Sequence, residues 1–210
     1  MNIQKLILVA SLAVSTMQLS ACTVVGLAAG AGASLGIASQ QEGGISSAAE
    51  DVKIKAMIGD KWFKYKVDTF SKLTTTVDQG RVLITGVVQN PDDRVEAVRL
   101  AWQVEGVKQV INEIRVADGE GVPGFVRDKW ITTRLRTEMT FTKDVGAINY
   151  SIDTVQGTVY LMGVARNQEE LDRVIALARS LPNVKQVVSY VKPLGEPVQG
   201  GVGGGAAIQP

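Results

Sequence analysis

Residues 79–86 read Gln79-Gly80-Arg81-Val82-Leu83-Ile84-Thr85-Gly86, and 77 residues later the chain reads Gln156-Gly157-Thr158-Val159-Tyr160-Leu161-Met162-Gly163. In each copy a glycine-containing turn opens an apolar run of strand length that ends on glycine. A second extended run precedes it, Lys72 to Val77 or Ile148 to Thr154. Two extended runs joined by such a turn predict a hairpin. The same offset aligns Val107-Lys108-Gln109-Val110 with Val184-Lys185-Gln186-Val187, and Asn90 with Asn167. Residues 51–117 match their counterparts at 15 of 67 positions, where chance would give about four, so the chain carries an internal duplication.

Working outward from the hairpins, each copy opens with an amphipathic helix, Ala49 to Asp60 or Phe125 to Met139. Ile54, Ile58 and Trp62, or Ile131, Leu135 and Met139, fall on one stripe and predict its core face. After the hairpin, Asn90-Pro91-Asp92-Asp93 suits a helix start: Asn90 caps, Pro91 fits the first turn, and the acids complement the helix dipole. Asn167, Glu169 and Glu170 repeat that arrangement. Val95, Val98, Ala101 and Trp102, and Leu171, Val174, Ile175 and Ala178, are read as the apolar faces of these second helices. A last strand, Lys108 to Val116 or Lys185 to Lys192, completes an α-β-β-α-β order in which helices pack on a small sheet, an α+β class. A unit of about 70 residues has a modest core, so the two copies are expected to support each other. The expected domains are residues 47–117 and 125–192. Between them lies a short linker, 118–124, holding Gly119, Gly121, Pro123 and Gly124, and after them a Gly-rich, disordered tail, 193–210.

The amino terminus has a different character. Lys5 is the only charge before Glu42, and Leu6 to Val14 is an apolar run of the length of a signal-peptide core. The signal ends in Leu19-Ser20-Ala21-Cys22, which resembles the lipobox of bacterial lipoproteins. That resemblance implies a signal peptide over residues 1–21, acylation (palmitate) of Cys22, and a small-residue tether over 22–46. Cys22 is the single cysteine of the chain, so no internal disulfide competes for it. Thr23, rather than Asp, follows the cysteine, and by resemblance to the lipoprotein sorting rule this implies the outer membrane, facing the periplasm.

Composition narrows the function. Twenty-two Lys and Arg against 21 Asp and Glu leave a net charge of +1, too little for a nucleic-acid binder that works by bulk electrostatics. There is no histidine. His-based triads and His/Cys zinc sites are therefore out of reach. No metal site or cofactor is expected, and the glycines at 80, 86, 157 and 163 lack phosphate-loop spacing. They are read as turn and strand-end residues. Lys53, Lys55, Lys61, Lys64 and Lys66 alternate with Glu50, Asp51, Asp60 and Asp68, the pattern of a solvated face.

The repeated hairpin motif, with Asn112-Glu113-Ile114-Arg115 and Trp130-Ile131-Thr132-Thr133-Arg134, resembles the BON-domain family. A lipobox, a small-residue tether and two such units in tandem resemble its dual-domain outer-membrane lipoproteins of the DolP type. The resemblance covers about residues 19–192. It implies two tandem α+β sandwich domains, each with two helices on a three-stranded mixed sheet. It also implies a non-catalytic role in outer-membrane integrity, with anionic phospholipid bound through the first helix of the second domain.

The residues of that helix carry a candidate site of their own. Trp130 lies roughly 140° from Leu135 on a helical wheel, off the core stripe. Val126, Arg134, Thr137 and Phe141 share its side, with Arg127 nearby. Tryptophan favours headgroup depth and arginine pairs with phosphate, which suits an anionic membrane surface. The residues alone leave a second reading open, in which the stripe packs against the first domain. A third has it hold another protein, such as an envelope assembly factor. In the first copy the same positions are Ala49, Lys53, Met57, Asp60 and Lys64, so only the second copy is expected to expose an aromatic stripe.

Overall fold

A computed structural model describes residues 44–117, 121–196 and 207–208. The expected signal peptide, Cys22 and nearly all of the expected tether lie outside the described residues. The first repeat comprises α1 (Gly44–Phe70), β1 (Leu73–Asp78), β2 (Arg81–Val88), α2 (Pro91–Trp102) and β3 (Gln109–Val116). The second comprises α3 (Gly121–Phe141), a single 3-10 turn (Ala147–Asn149), β4 (Tyr150–Val155), β5 (Thr158–Ala165), α4 (Gln168–Ser180) and β6 (Gln186–Pro193). In each mixed sheet the second strand is central, antiparallel to the first and parallel to the third. A two-residue strand, β7 (Ala207–Ile208), lies antiparallel on β6, so part of the tail read as disordered is paired.

The hairpin turns follow from their two central residues. Gln79 and Gly80 have φ of 54° and 80°, Gln156 and Gly157 have 51° and 80°, the left-handed pair of a two-residue hairpin loop. Each turn is then tied down by an acid from the opening helix. Asp51 accepts the amides of Gln79 and Gly80 at 2.7 and 2.8 Å. Asp128, its counterpart at the 77-residue offset, accepts those of Gln156 and Gly157 at 2.6 and 3.0 Å. For Asp51, burial pushes the carboxyl up despite these donors. Both expected caps are present, with Asn90 accepting from the Asp92 amide and Asn167 from that of Glu170.

Two cores, one per repeat, lie between helices and sheet. Ile54, Ile58 and Trp62 meet Val82, Ile84, Val110 and Ile114 in the first. Ile131, Leu135 and Met139 meet Val159, Leu161 and Val187 in the second. The alternate residues of the same strands build a third core, where Leu83 and Ile111 pack with Tyr160, Met162 and Val188. The sheets thus meet face to face, helices outermost. β2 and β5 are covered on both sides, which is why both read as continuous apolar runs. Leu83 and Tyr160, Ile111 and Val188, and the bonded pair Glu113 and Tyr190 are each 77 residues apart. Equivalent positions meeting one another mark a pseudo-two-fold axis through this contact. Polar groups close its rim: Arg81, 3% exposed, donates to the carbonyls of Tyr190 and Gly163 at 2.8 and 3.3 Å. Thr85 donates to Asp153 at 2.5 Å, and Arg115 to Thr158 at 2.6 Å.

Several expectations are corrected. α1 extends well beyond Asp60, to Phe70, with non-helical backbone at Lys66. α3 begins at Gly121, inside the segment read as linker. The face of α2 is right in part: Ala101 is buried and Val98 packs on the core, with Ala97 and Leu100 beside them, whereas Val95 is 67% and Trp102 40% exposed. The counterparts of Val95 and Trp102 are Asp172 and Arg179, whose charges are costly to bury without partners and mark these positions as the solvent side. Gly86 and Gly163 sit inside their strands, at φ of 127° and 136°, opposite Leu73 and Tyr150. They make room for the incoming backbone rather than end the strand.

Candidate functional site

α3 is held to its domain by Ile131, Leu135 and Met139, each fully buried, and by the Asp128 bond to the hairpin turn. That fixes its rotation and turns the opposite side outward. Trp130 is 47% exposed, Val126 59% and Phe141 84%, and Thr137 is exposed beside them. The domain contact is built from sheet faces, so this stripe is not buried in it. The two arginines behave differently. Arg134 is exposed but engaged by Glu138 at 2.7 Å. Arg127 is only half-exposed and turns toward Asp128 at 3.2 Å, away from the stripe. Sequence reasoning missed two neighbours, Phe125, 61% exposed, and Lys129, whose ammonium sits 5.5 Å from the Phe125 ring centroid. Their i, i+4 spacing and complementary chemistry was the available signal.

The first repeat is less bare than its sequence suggested. Beyond the compared positions, α1 exposes Phe63 and Tyr65, the latter stacked on Phe70. Exposed aromatics are therefore present on both opening helices, at non-equivalent places.

Where the two domains meet, a cleft of about 620 Å³ is lined by Lys66, Lys72, Val87, Asp93, Phe125 and Lys129, among others. Among the described residues no group of His, Cys, Asp and Glu is arranged to hold a metal ion. No helix among them is long and apolar enough to cross a membrane.

The duplicated α-β-β-α-β frame and its motifs agree with a family match. The BON domain matches residues 50–118 and 127–192, more than half the chain. The chain belongs to the BON-domain family. A protein described as an uncharacterized protein in the gshII 5' region of Anaplasma centrale is 42% identical over 144 residues, 68% of this chain and 94% of the relative. Outer membrane lipoprotein DolP of Haemophilus influenzae is 32% identical over 54% of this chain and 58% of that protein. Osmotically-inducible protein Y of Escherichia coli is 28% identical over 57% and 61% respectively. The two BON domains differ in their open surface. On the opening helix, BON domain 1 presents Lys53 where BON domain 2 presents Trp130, and Met57, partly buried against the first core, stands where BON domain 2 exposes Arg134, so the opening helix carries an exposed indole in BON domain 2 and not in BON domain 1.

Proposed function

We propose that this chain is a non-catalytic protein of the bacterial envelope, anchored by acylated Cys22 in the outer membrane and facing the periplasm. Its second BON domain binds anionic phospholipid through α3 and so supports the membrane barrier. The observation that carries this reading is the outward stripe of Val126, Trp130, Thr137 and Phe141 on a helix whose inner side is wholly committed to the core. An indole half-exposed among apolar neighbours settles at headgroup depth, and helices of this kind lie in the interface plane. Arg134, tied to Glu138 in the free protein, exchanges that surface pair for a lipid phosphate at little cost, since exposed ion pairs contribute only about 0–1 kcal/mol. The resemblance to a relative named as an outer membrane lipoprotein supports the location.

Trp130→Glu is expected to abolish co-sedimentation with anionic vesicles while the melting temperature stays near that of the parent, because the position is exposed. Lys53→Glu, at the equivalent place in BON domain 1, weakens binding little. Unfolding by Trp130→Glu would mean that the indole packs, and undiminished vesicle binding would move the site elsewhere. If the folded wild type ignores protein-free vesicles altogether, the stripe is a protein contact. For the anchor, Cys22→Ala is expected to leave an unprocessed precursor that takes up no labelled palmitate. Equal labelling of both proteins would refute that assignment.

A further inference from the structure

The pseudo-two-fold axis gives the domain contact two equivalent ends, and they have diverged. At one end Ser47, Ala48, Asp51, Gln79, Asn149 and Gly163 enclose only about 60 Å³. At the other lies the cleft of about 620 Å³. In the second repeat Glu170, 1% exposed, accepts the amides of Gly146 and Arg166 at 2.7 and 2.9 Å and the Arg166 guanidinium at 3.1 Å. At the large end its counterpart is Asp93, one methylene shorter, held by Lys66 at 2.9 and 3.0 Å. Here α1 runs on to Phe70 where the second repeat has a loop and a 3-10 turn.

The substitutions that accompany the opening share one chemistry. Phe125 stands where the small end has Ala48, Lys129 where it has Val52, and Lys72 where it has Asn149. One aromatic and two cations have been added to a cleft whose wall also carries Val87, Val88 and Val155. Three carboxylates line it, and all are engaged. Asp93 holds Lys66, Asp128 takes two hairpin amides and Arg127, and Asp153 accepts the Thr85 hydroxyl. Lys129 is 4.0 Å from Asp153, a loose pair, and Lys72 makes no ion pair among the described residues. Both ammonium groups are on exposed side chains. A space of this volume with an apolar wall and a few polar groups suits a small amphiphile.

We propose that this cleft takes one anionic glycerophospholipid, its phosphate between Lys72 and Lys129 and the first carbons of an acyl chain against Phe125 and Val87. The proposal deepens the membrane-binding reading and rests on it. Phe125 and Lys129 belong to the first turns of α3, so a lipid lifted from a surface touched by Val126 and Trp130 needs little displacement to reach them.

The test uses the chain from residue 23 onward, which keeps both domains whole. Dihexanoyl phosphatidylglycerol is titrated below its micelle concentration and followed by calorimetry and amide chemical shifts. Wild type is expected to bind one molecule saturably, with shifts over residues 86–90 and 124–129. Lys72→Gln with Lys129→Gln should weaken this at least tenfold at an unchanged melting temperature. Trp130→Glu should change it less than twofold while losing vesicle binding, so failure of the cleft and failure of the surface site are read separately. Absence of saturable binding by wild type, or equal binding by the double variant, overturns the cleft. Equal affinity for dihexanoyl phosphatidylcholine overturns the anionic headgroup, and equal affinity for glycerol phosphate overturns the acyl contact.

Discussion

Gly163→Ala is expected to destabilise BON domain 2 by roughly 2 to 6 kcal/mol. A non-glycine residue held at left-handed φ costs about 1 to 3 kcal/mol, and forcing an extra methyl into packed structure costs about 1 to 3 more. Gly163 incurs both. Its φ is 136°, and an added Cβ would stand 1.9 Å from the Asn149 carbonyl oxygen and 3.2 Å from Tyr150 Cα. These are backbone atoms at the start of β4, where Tyr150 pairs with Gly163, and they move only if the strand start is rebuilt. Gly86→Ala is the internal comparison, with φ of 127° and the Lys72 oxygen 2.6 Å away. It should be costly but less so. Set against a typical total of about 5–15 kcal/mol, the Gly163 loss removes a large share of the stability. Urea midpoints read by circular dichroism check it. A Gly163→Ala protein within 1 kcal/mol of wild type would contradict the close approach.

Much of this fold was legible because the sequence states it twice. A helical wheel drawn on one copy is ambiguous wherever large apolar residues are exposed, as Val95 and Trp102 are. Laid over Asp172 and Arg179, the same positions resolve, because the charges of an aspartate and an arginine are costly to bury without partners. The Asp51 and Asp128 anchors of the hairpin turns were among the repeat identities, yet nothing local marked them. Their partners are amides 28 and 29 residues away, and only the fold brings the two together. The outward rotation of Trp130 followed from the period of the core residues beside it. The fate of Arg127 did not, since a residue at the edge of the stripe is drawn aside by Asp128, its immediate neighbour. The cleft was illegible for a deeper reason. It is a difference between two ends of a domain contact, one beside an α1 that runs on to Phe70 and the other beside a loop and a 3-10 turn.

Leu83→Asp is expected to have the other large effect, on the contact between the domains. Leu83 is 2% exposed and packs with Ile111, Tyr160, Met162 and Val188 where the two sheets meet. Removing a buried leucine side chain loses about 1.5–3 kcal/mol of burial. The aspartate adds the desolvation of a carboxylate, several kcal/mol for an ion with no partner. The side chain lies near the pseudo-axis, so a rotamer change leads to more of the same apolar surface rather than to water. Each BON domain retains its own helix-to-sheet core, because Val82 and Ile84 on the other face of β2 are untouched. The cheapest response is therefore to part the sheets, exposing both inner faces and leaving two domains of about 70 residues with modest cores. Calorimetry should show one cooperative transition in wild type and two broader, lower ones in Leu83→Asp, with dye binding to the exposed sheets before the first. Leu83→Ala should stay single at a loss of about 2–5 kcal/mol. Val95→Asp, on the exposed side of α2 in the same domain, should fall within about 0.5 kcal/mol of wild type. A single, unshifted transition for Leu83→Asp would mean that the two sheets do not support each other in solution, and the cleft formed at their edge would lose its walls.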